Sequence, residues 1–277
     1  MQEKKKIYFI DAYALIFRGY YAFIKNPIVN SKGFNTSAIY GFMNSLLDLI
    51  KREKPEYVAV CFDKGGSASR SEIFPEYKAN RLETPEAITL GIPYIKKILN
   101  AMDISSIEIE GYEADDIIGT LAKKAEKDDF NVFMVTPDKD FAQLVSKNIF
   151  IYRPARMGND VEIMGIKEVN EKFEIENPKQ VIDYLGMVGD SVDNIPGLQG
   201  VGDKTAKKFI KEFGSIENLL DNTDKIKGKL REKIEANKYL GLLSKKLARI
   251  ILDVPVDFDK TKFKLENPNS DKLNKIF

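Results

Sequence analysis

Nine carboxylates stand where a short β-rich apolar run ends or where a helix begins: Asp11, Asp63, Glu113, Asp115, Asp116, Asp138, Asp140, Asp190 and Asp193. One strand-end aspartate is usually a helix cap, and acids in a first helical turn favour the dipole by a few tenths to about 1 kcal/mol each. Three acids between positions 113 and 116 exceed what capping uses. Glu113 and Asp116 share a helix face at a spacing of three, and that face repels itself unless a cation neutralises it. Carboxylates gathered in a crevice need counter-charge. The chain has no histidine, which removes imidazole-based zinc sites and Ser-His or Cys-His triads. An all-oxygen ligand set selects hard cations, Mg²⁺ or Mn²⁺. Several carboxylates per ion point to two ions, held about 4 Å apart in such sites, which suit phosphodiester hydrolysis by activating water and stabilising the leaving oxygen.

The stretch 189–208, GDSVDNIPGLQGVGDKTAKK, adds phosphate chemistry. Gly197, Gly200 and Gly202 allow positive φ and close approach of a ligand to the backbone. The helix that follows offers unpaired N–H groups and its positive dipole end to an anion, with Lys204, Thr205 and Lys208 on its first turns. The plain alternative is a helix-loop-helix corner, which needs neither Asp190 and Asp193 just upstream nor a basic helix downstream.

The elements that must position these groups read as α/β. The runs KIYFIDA at 6–12 and YVAVCFD at 57–63 are buried parallel strands closing on Asp11 and Asp63. Segments 105–110 and 130–136 are further strands, 149–153 and 161–164 are short edge strands joined at Gly158-Asn159, and 36–52 is an amphipathic helix ended near Pro55. Helices are expected over 166–173, 178–184, 206–213, 216–220 and 230–252, with charged irregular chain from 254 onward. Between the second and third strands lies a polar insertion of a length that is more often functional than structural. It carries Arg70, Tyr77, Lys78 and Arg81, and cations with an interleaved ring suit single-stranded nucleic acid. The expected architecture is a mainly parallel central sheet with helices on both sides, over 1–185. The insertion lies at about 67–99, and a helical phosphate-binding segment with its extension occupies 186–277.

The totals agree. A chain of 277 residues that is 43% apolar can bury a substantial core. Its formal charge of +1 conceals an acidic segment at 107–140 and a basic one at 204–249, and local patches govern partners more than the sum does. Cys61 is the one cysteine and sits in an apolar run, so it reads as a core residue in a reducing compartment. No apolar run approaches the roughly 20 residues that span a bilayer, and the expectation is a cytoplasmic monomer without membrane contact. Apolar Leu273, Ile276 and Phe277 at the end suggest a piece of a longer polypeptide.

Several motifs together resemble the 5′-nuclease (flap endonuclease) family, and within it the bacterial exonuclease modules fused to polymerases. They are FD at 62–63, YKANR at 77–81, GYEADD at 111–116, PDKD at 137–140 and GDSVDNIPGLQGVGDKTA at 189–206. The resemblance implies a PIN-like nuclease core, a helical arch and a helix-turn-helix clamp. It also implies cleavage of DNA at 5′ flaps, 5′ overhangs and nicks, in primer removal and repair. The nine acids would hold two divalent ions. Lys78 and Arg81 would steer and polarise the scissile phosphate, Tyr77 would offer a ring to a base, and Phe17 and Arg18 would lie beside the entering strand. The glycine loop would grip a duplex strand and hold a monovalent ion such as K⁺. Ala12 stands where relatives commonly have glycine, and Lys64-Gly65-Gly66 departs from the usual link after the second acid. A non-catalytic DNA-structure-binding module and a metal-dependent RNase remain open. A haloacid-dehalogenase-type phosphatase fits poorly, because Tyr13 occupies the place of its second aspartate.

Overall fold

The computed structural model describes residues 4–155 and 160–276; the expected turn at Gly158-Asn159 and the terminal Phe277 lie outside the described residues. Strand β1 (Lys6–Asp11) is buried on both faces, with Ile7, Tyr8, Phe9 and Ile10 all shielded from solvent. That is why it reads as a continuous apolar run and occupies a central position. With β2 (Tyr57–Cys61), β3 (Ser105–Ile107), β4 (Asn131–Val135), β5 (Ile149–Arg153) and β6 (Glu162–Met164) it forms one six-stranded sheet in the order β3-β2-β1-β4-β5-β6. All pairings are parallel except β5 with β6. The chain leaves β1 toward β2 and returns on its other side as β4, so a crevice opens at the carboxyl ends of these neighbours. Asp11 ends β1 in register with Cys61, and Asp63 lies two residues beyond.

One face of the sheet is covered by α1 (Ala12–Ala22), α2 (Ser37–Glu53) and, after the short α3 (Ala68–Ile73), by α4 (Glu86–Ala101). Tyr8, Ile10, Val58 and Val60 meet Leu15, Phe42, Leu46, Ile95 and Leu99 there. Helices α1 and α2 cross at Gly19 and Gly41, so closely that a Cβ on Gly41 would fall 2.3 Å from the Gly19 Cα. The opposite face is covered by α5 (Ala114–Lys127), whose Ile117, Ile118 and Leu121 pack on Ile7, Phe9 and Met134. The same apolar cluster continues through α6 (Ile166–Phe173), α7 (Val181–Val188), α8 (Asp203–Phe213), α9 (Ile216–Asp221), α10 (Gly228–Ala236) and α11 (Lys238–Ala248).

Two expectations change. Of the stretch 67–99 read as an arch, the second half is α4, whose Ile88, Ile95, Ile98 and Leu99 are buried in the core; 67–85 holds only α3 and turns. The single helix expected over 230–252 is two, broken at Asn237, and it ends at Ala248 because Arg249 turns extended. The tail beyond is irregular, yet pinned. Ile251 N–H donates to Asp116, Leu265 N–H to the Glu56 carbonyl and Asn269 N–H to the Ala101 carbonyl. Phe263 is buried against the edge of Phe9. The tail closes with α12 (Ser270–Asn274) beside α4. Among the described residues no helix is long and apolar enough to cross a membrane.

Candidate active site

Five of the nine acids, Asp11, Asp63, Glu113, Asp115 and Asp138, line one cleft of about 460 Å³ at the carboxyl edge of the sheet, with Lys78, Arg81, Tyr13 and Phe17. Local structure fixes each acid. Asp11 caps α1, accepting the Ala14 N–H at 3.1 Å through one oxygen and the Thr136 hydroxyl at 3.0 Å through the other. The same hydroxyl accepts the Asp138 N–H. Asp63 accepts the Ala114 N–H at 2.5 Å, tying the end of β2 to the start of α5. Glu113 is the N-cap of α5, which places Asp115 in its first turn.

Asp140, Asp190 and Asp193 form a second group alongside, on the loop after β4 and the loop after α7. Lys139 lies 3.4 Å from Asp190. Arg81 donates twice to one oxygen of Asp193, at 2.9 and 2.6 Å, and Lys78 lies between Glu113 at 2.5 Å and Asp193 at 3.8 Å. The backbone joins the two segments as well: the Lys78 N–H donates to the Asp193 carbonyl, and the Asn194 amide donates to the Glu76 carbonyl at 2.7 Å. The polar insertion is thus laid across the acids, its cations spent on carboxylates.

The electrostatics report crowding. Burial, reinforced by the charge of Asp63 and then Asp138, raises the Asp11 carboxyl to about 7 against the bonds from Ala14 and Thr136. Burial and then Asp138 raise Asp140 to about 8, and burial with Asp116 pushes Asp115 well up. Burial also works against the charged form of Glu113, but Lys78 and Arg70 more than offset it and hold that carboxyl below its ordinary range. Carboxylates raised by burial and then by one another's charge are groups that a bound cation would stabilise in their ionised form. Oδ1 of Asp140 is buried with no hydrogen-bond partner, an oxygen of the kind a hard divalent ion coordinates. The residues therefore fit a hard divalent cation.

One expected role does not match the placement. Arg70, expected at DNA, is 4% exposed. Its guanidinium donates to both oxygens of Asp116 at 2.8 Å, to Glu113, and to the Leu247 and Arg249 carbonyls. With every arm engaged, it has no donor left for a phosphate. Asp116 has a carboxylate oxygen within 4.8 Å of oxygens of Glu113 and Asp115, but it is fully buried and its oxygens hold Arg70 and the Ile251 N–H. It stands behind the cleft. Tyr77 turns its hydroxyl to Glu113 at 3.1 Å, with the Lys78 ammonium 5.0 Å from its ring centroid, so its ring is partly occupied.

Phe17 lines the cleft, and Arg18 beside it donates to the carbonyls of Pro154 and Ala155. In the clamp, Gly197 and Gly200 have φ of 68° and 86°. Gly202 does not use that freedom; it is the extended N-cap of α8 at φ −102°. Lys204 and Lys208 are exposed on α8 and Thr205 is half-buried. The sequence reading missed Thr136, Tyr13 and Leu82. Tyr13 carried a signal, four residues before Phe17 on one helix; Thr136 and Leu82 carried none.

The comparisons agree with this geometry. The family model described as the 5′-3′ exonuclease N-terminal resolvase-like domain matches residues 6–174, and that of the 5′-3′ exonuclease C-terminal SAM fold matches 176–271. The 5′-3′ exonuclease of Aquifex aeolicus (strain VF5) is 40% identical, over 97% of this chain and 90% of that protein. DNA polymerase I of Bacillus subtilis (strain 168) is 41% identical, over 100% of this chain and 31% of that protein. The chain thus spans about a third of the polymerase relatives it matches. Among solved structures, T5 5′-exonuclease with bound zinc ions has a TM-score of 0.74 at 23% identity, covering 98% of this chain and 97% of that one. The catalytic core of Rad2 in complex with DNA substrate has 0.66 at 20% identity, covering 99% and 87%. On the matched domains and the full-length likeness to a free-standing relative, this chain belongs to the 5′-3′ exonuclease family of nucleases.

Proposed function

We propose that the chain is a divalent-metal-dependent 5′-3′ exonuclease and 5′-flap endonuclease of DNA, serving primer removal and repair as the nuclease module of a DNA polymerase I. The observation that carries this reading is the meeting of two opposite sets of groups in one cleft: the acids Asp11, Asp63, Glu113, Asp115 and Asp138, and Lys78 and Arg81 delivered from the insertion, with the unpartnered oxygen of Asp140 in the group alongside. Asp11, Asp63, Glu113 and Asp115 on one side, with Asp138, Asp140, Asp190 and Asp193 on the other, would hold two Mg²⁺ or Mn²⁺ ions; Asp116 supports them from behind. When bound, such ions supply activated water and stabilisation of the leaving oxygen in a phosphodiester.

The rest falls to the chain. Lys78 and Arg81 exchange their carboxylates for the scissile phosphate and offset the charge that develops there. Phe17 lies against the base next to the cut. The N–H groups opening α8, with Lys204, Thr205 and Lys208, hold a duplex strand through phosphates, and the loop carbonyls from Gly197 to Gly200 suit K⁺. The products carry 5′-phosphate and 3′-hydroxyl ends. The test compares a 5′-labelled flap duplex, the same strand unpaired, and single-stranded RNA, each with Mg²⁺ or EDTA. Metal-dependent cuts at the flap junction are expected. Faster cutting of RNA than of the flap would replace the DNA assignment with a ribonuclease, and tight binding without cutting would leave a DNA-structure-binding module.

A further inference from the structure

The first helix carries an aromatic stripe that leads out of the cleft. Tyr13, Phe17 and Tyr21 follow one another at a spacing of four on α1, so their rings line up along one face with a slow drift. Ring centroids are 6.3 Å apart at each step, and Phe17 and Tyr21 lie within 19° of parallel. The inner end is anchored, since Tyr13 sets its edge against Phe62. The outer end is open: Tyr21 is 53% exposed. Across the same cleft the insertion presents Leu82, 91% exposed, the most exposed large apolar side chain among the described residues.

We propose that this stripe, with Leu82 facing it, is a stacking track for successive unpaired bases of a DNA 5′ strand entering the cleft. The proposal rests on the nuclease reading above and extends it from the one ring at Phe17 to the rings before and after it. Three observations select this occupant. The stripe is continuous with the acid cleft, because Tyr13 and Phe17 line the cavity that also holds Asp11 and Asp63. Cations for the sugar-phosphate backbone, Lys78 and Arg81, line that cavity too, and aromatic faces beside a cationic groove are what single strands bind. Bases inside a duplex have both faces covered by their neighbours, so only an unpaired segment offers faces to these rings. Stacking is tolerant of sequence, as a nuclease that selects structure requires.

The chain contains no tryptophan, so Tyr21→Trp keeps an aromatic ring and installs a single indole reporter. Binding is followed with Ca²⁺ replacing Mg²⁺, on a 5′-flap duplex with a six-nucleotide tail and on the nicked duplex of the same sequence. Quenching of the indole by the tailed DNA but not by the nicked DNA is expected. Tyr21→Ala should lower the preference for tailed over nicked DNA about tenfold, on the order of one stacked base, and Tyr21→Phe should keep it. Equal indole emission with both DNAs and an unchanged preference in Tyr21→Ala, from a protein that still cuts flaps, would overturn the track and leave the nuclease standing. Failure of the wild-type protein to bind either DNA would remove both.

Discussion

Arg70 and Asp116 form a doubly hydrogen-bonded pair, 2.8 Å at each arm, in the closed space behind the acid cleft. The pair does more than neutralise a buried charge. Arg70 comes from the base of the insertion, Asp116 from the first turn of α5, and the carbonyls that complete the guanidinium come from the end of α11 and the start of the tail. One side chain thus fixes three parts of the molecule, and it also supports Glu113 at 3.2 Å. Removing one partner leaves the other charged and buried, which costs about 3–5 kcal/mol. Arg70→Ala should lower unfolding free energy in urea by that amount and abolish cutting. A loss under 1 kcal/mol would show the pair to be dispensable.

Lys78 bridges Glu113 and Asp193 in the cleft. If it then serves the phosphate, Lys78→Ala should lower kcat about 100-fold, the scale of removing one charge-stabilising donor, with a smaller change in KM. Single-turnover cutting of the flap duplex measures this. An effect confined to KM would make Lys78 a binding group only.

The raised carboxyls of Asp11, at about 7, and Asp140, at about 8, carry a sign. Both lie above the unfolded value near 4, so the folded protein holds more protons than the unfolded chain between these values. Their stabilising contribution is complete below about pH 4 and is lost as pH rises through 7 and 8. In EDTA, Tm should therefore fall between pH 5.5 and 8.5. Millimolar Mg²⁺ should recover most of the loss at pH 8.5, because the ion binds the deprotonated acids of the folded state. A Tm flat across this window, or indifferent to Mg²⁺, contradicts the crowded-acid description.

Exposed Lys204 and Lys208 on α8 test the clamp. If each neutralises one phosphate, changing both to Ala should reduce the slope of log affinity against log salt by about 2. Fluorescence anisotropy on a nicked duplex at several salt concentrations gives the slope. An unchanged slope places the duplex on another face.

Much of this was legible in the sequence, for a physical reason. The strands of an α/β sheet are buried runs with side chains at their carboxyl ends, so Asp11 and Asp63 announce themselves by following KIYFI and YVAVCF. What could not be read was which acid faces the cleft. Asp115 and Asp116 are adjacent in sequence, but the 100° step of a helix sends one to the cleft and the other to Arg70 behind it. Arg70 looked like its basic neighbours Lys78 and Arg81 because composition carries no burial. The break at Asn237 was equally hidden, since both flanking segments keep helical periodicity and only the backbone of that one residue leaves the helical region. Gly202 shows the limit of glycine spacing: its extended backbone opens α8 without using the freedom that Gly197 needs.

The central claim is that the acid cleft is where DNA is cut, and Asp63→Asn tests it most directly. Asp63 lines the cleft, and an amide keeps its shape and its acceptor for the Ala114 N–H. Wild type and variant are compared on one labelled flap duplex, with binding read by anisotropy and cutting read on a sequencing gel in Mg²⁺. Comparable binding, cuts by the wild type at the junction, and loss of cutting by at least about 100-fold in the variant are expected. Cutting by Asp63→Asn at the wild-type rate would place the chemistry elsewhere and contradict the account.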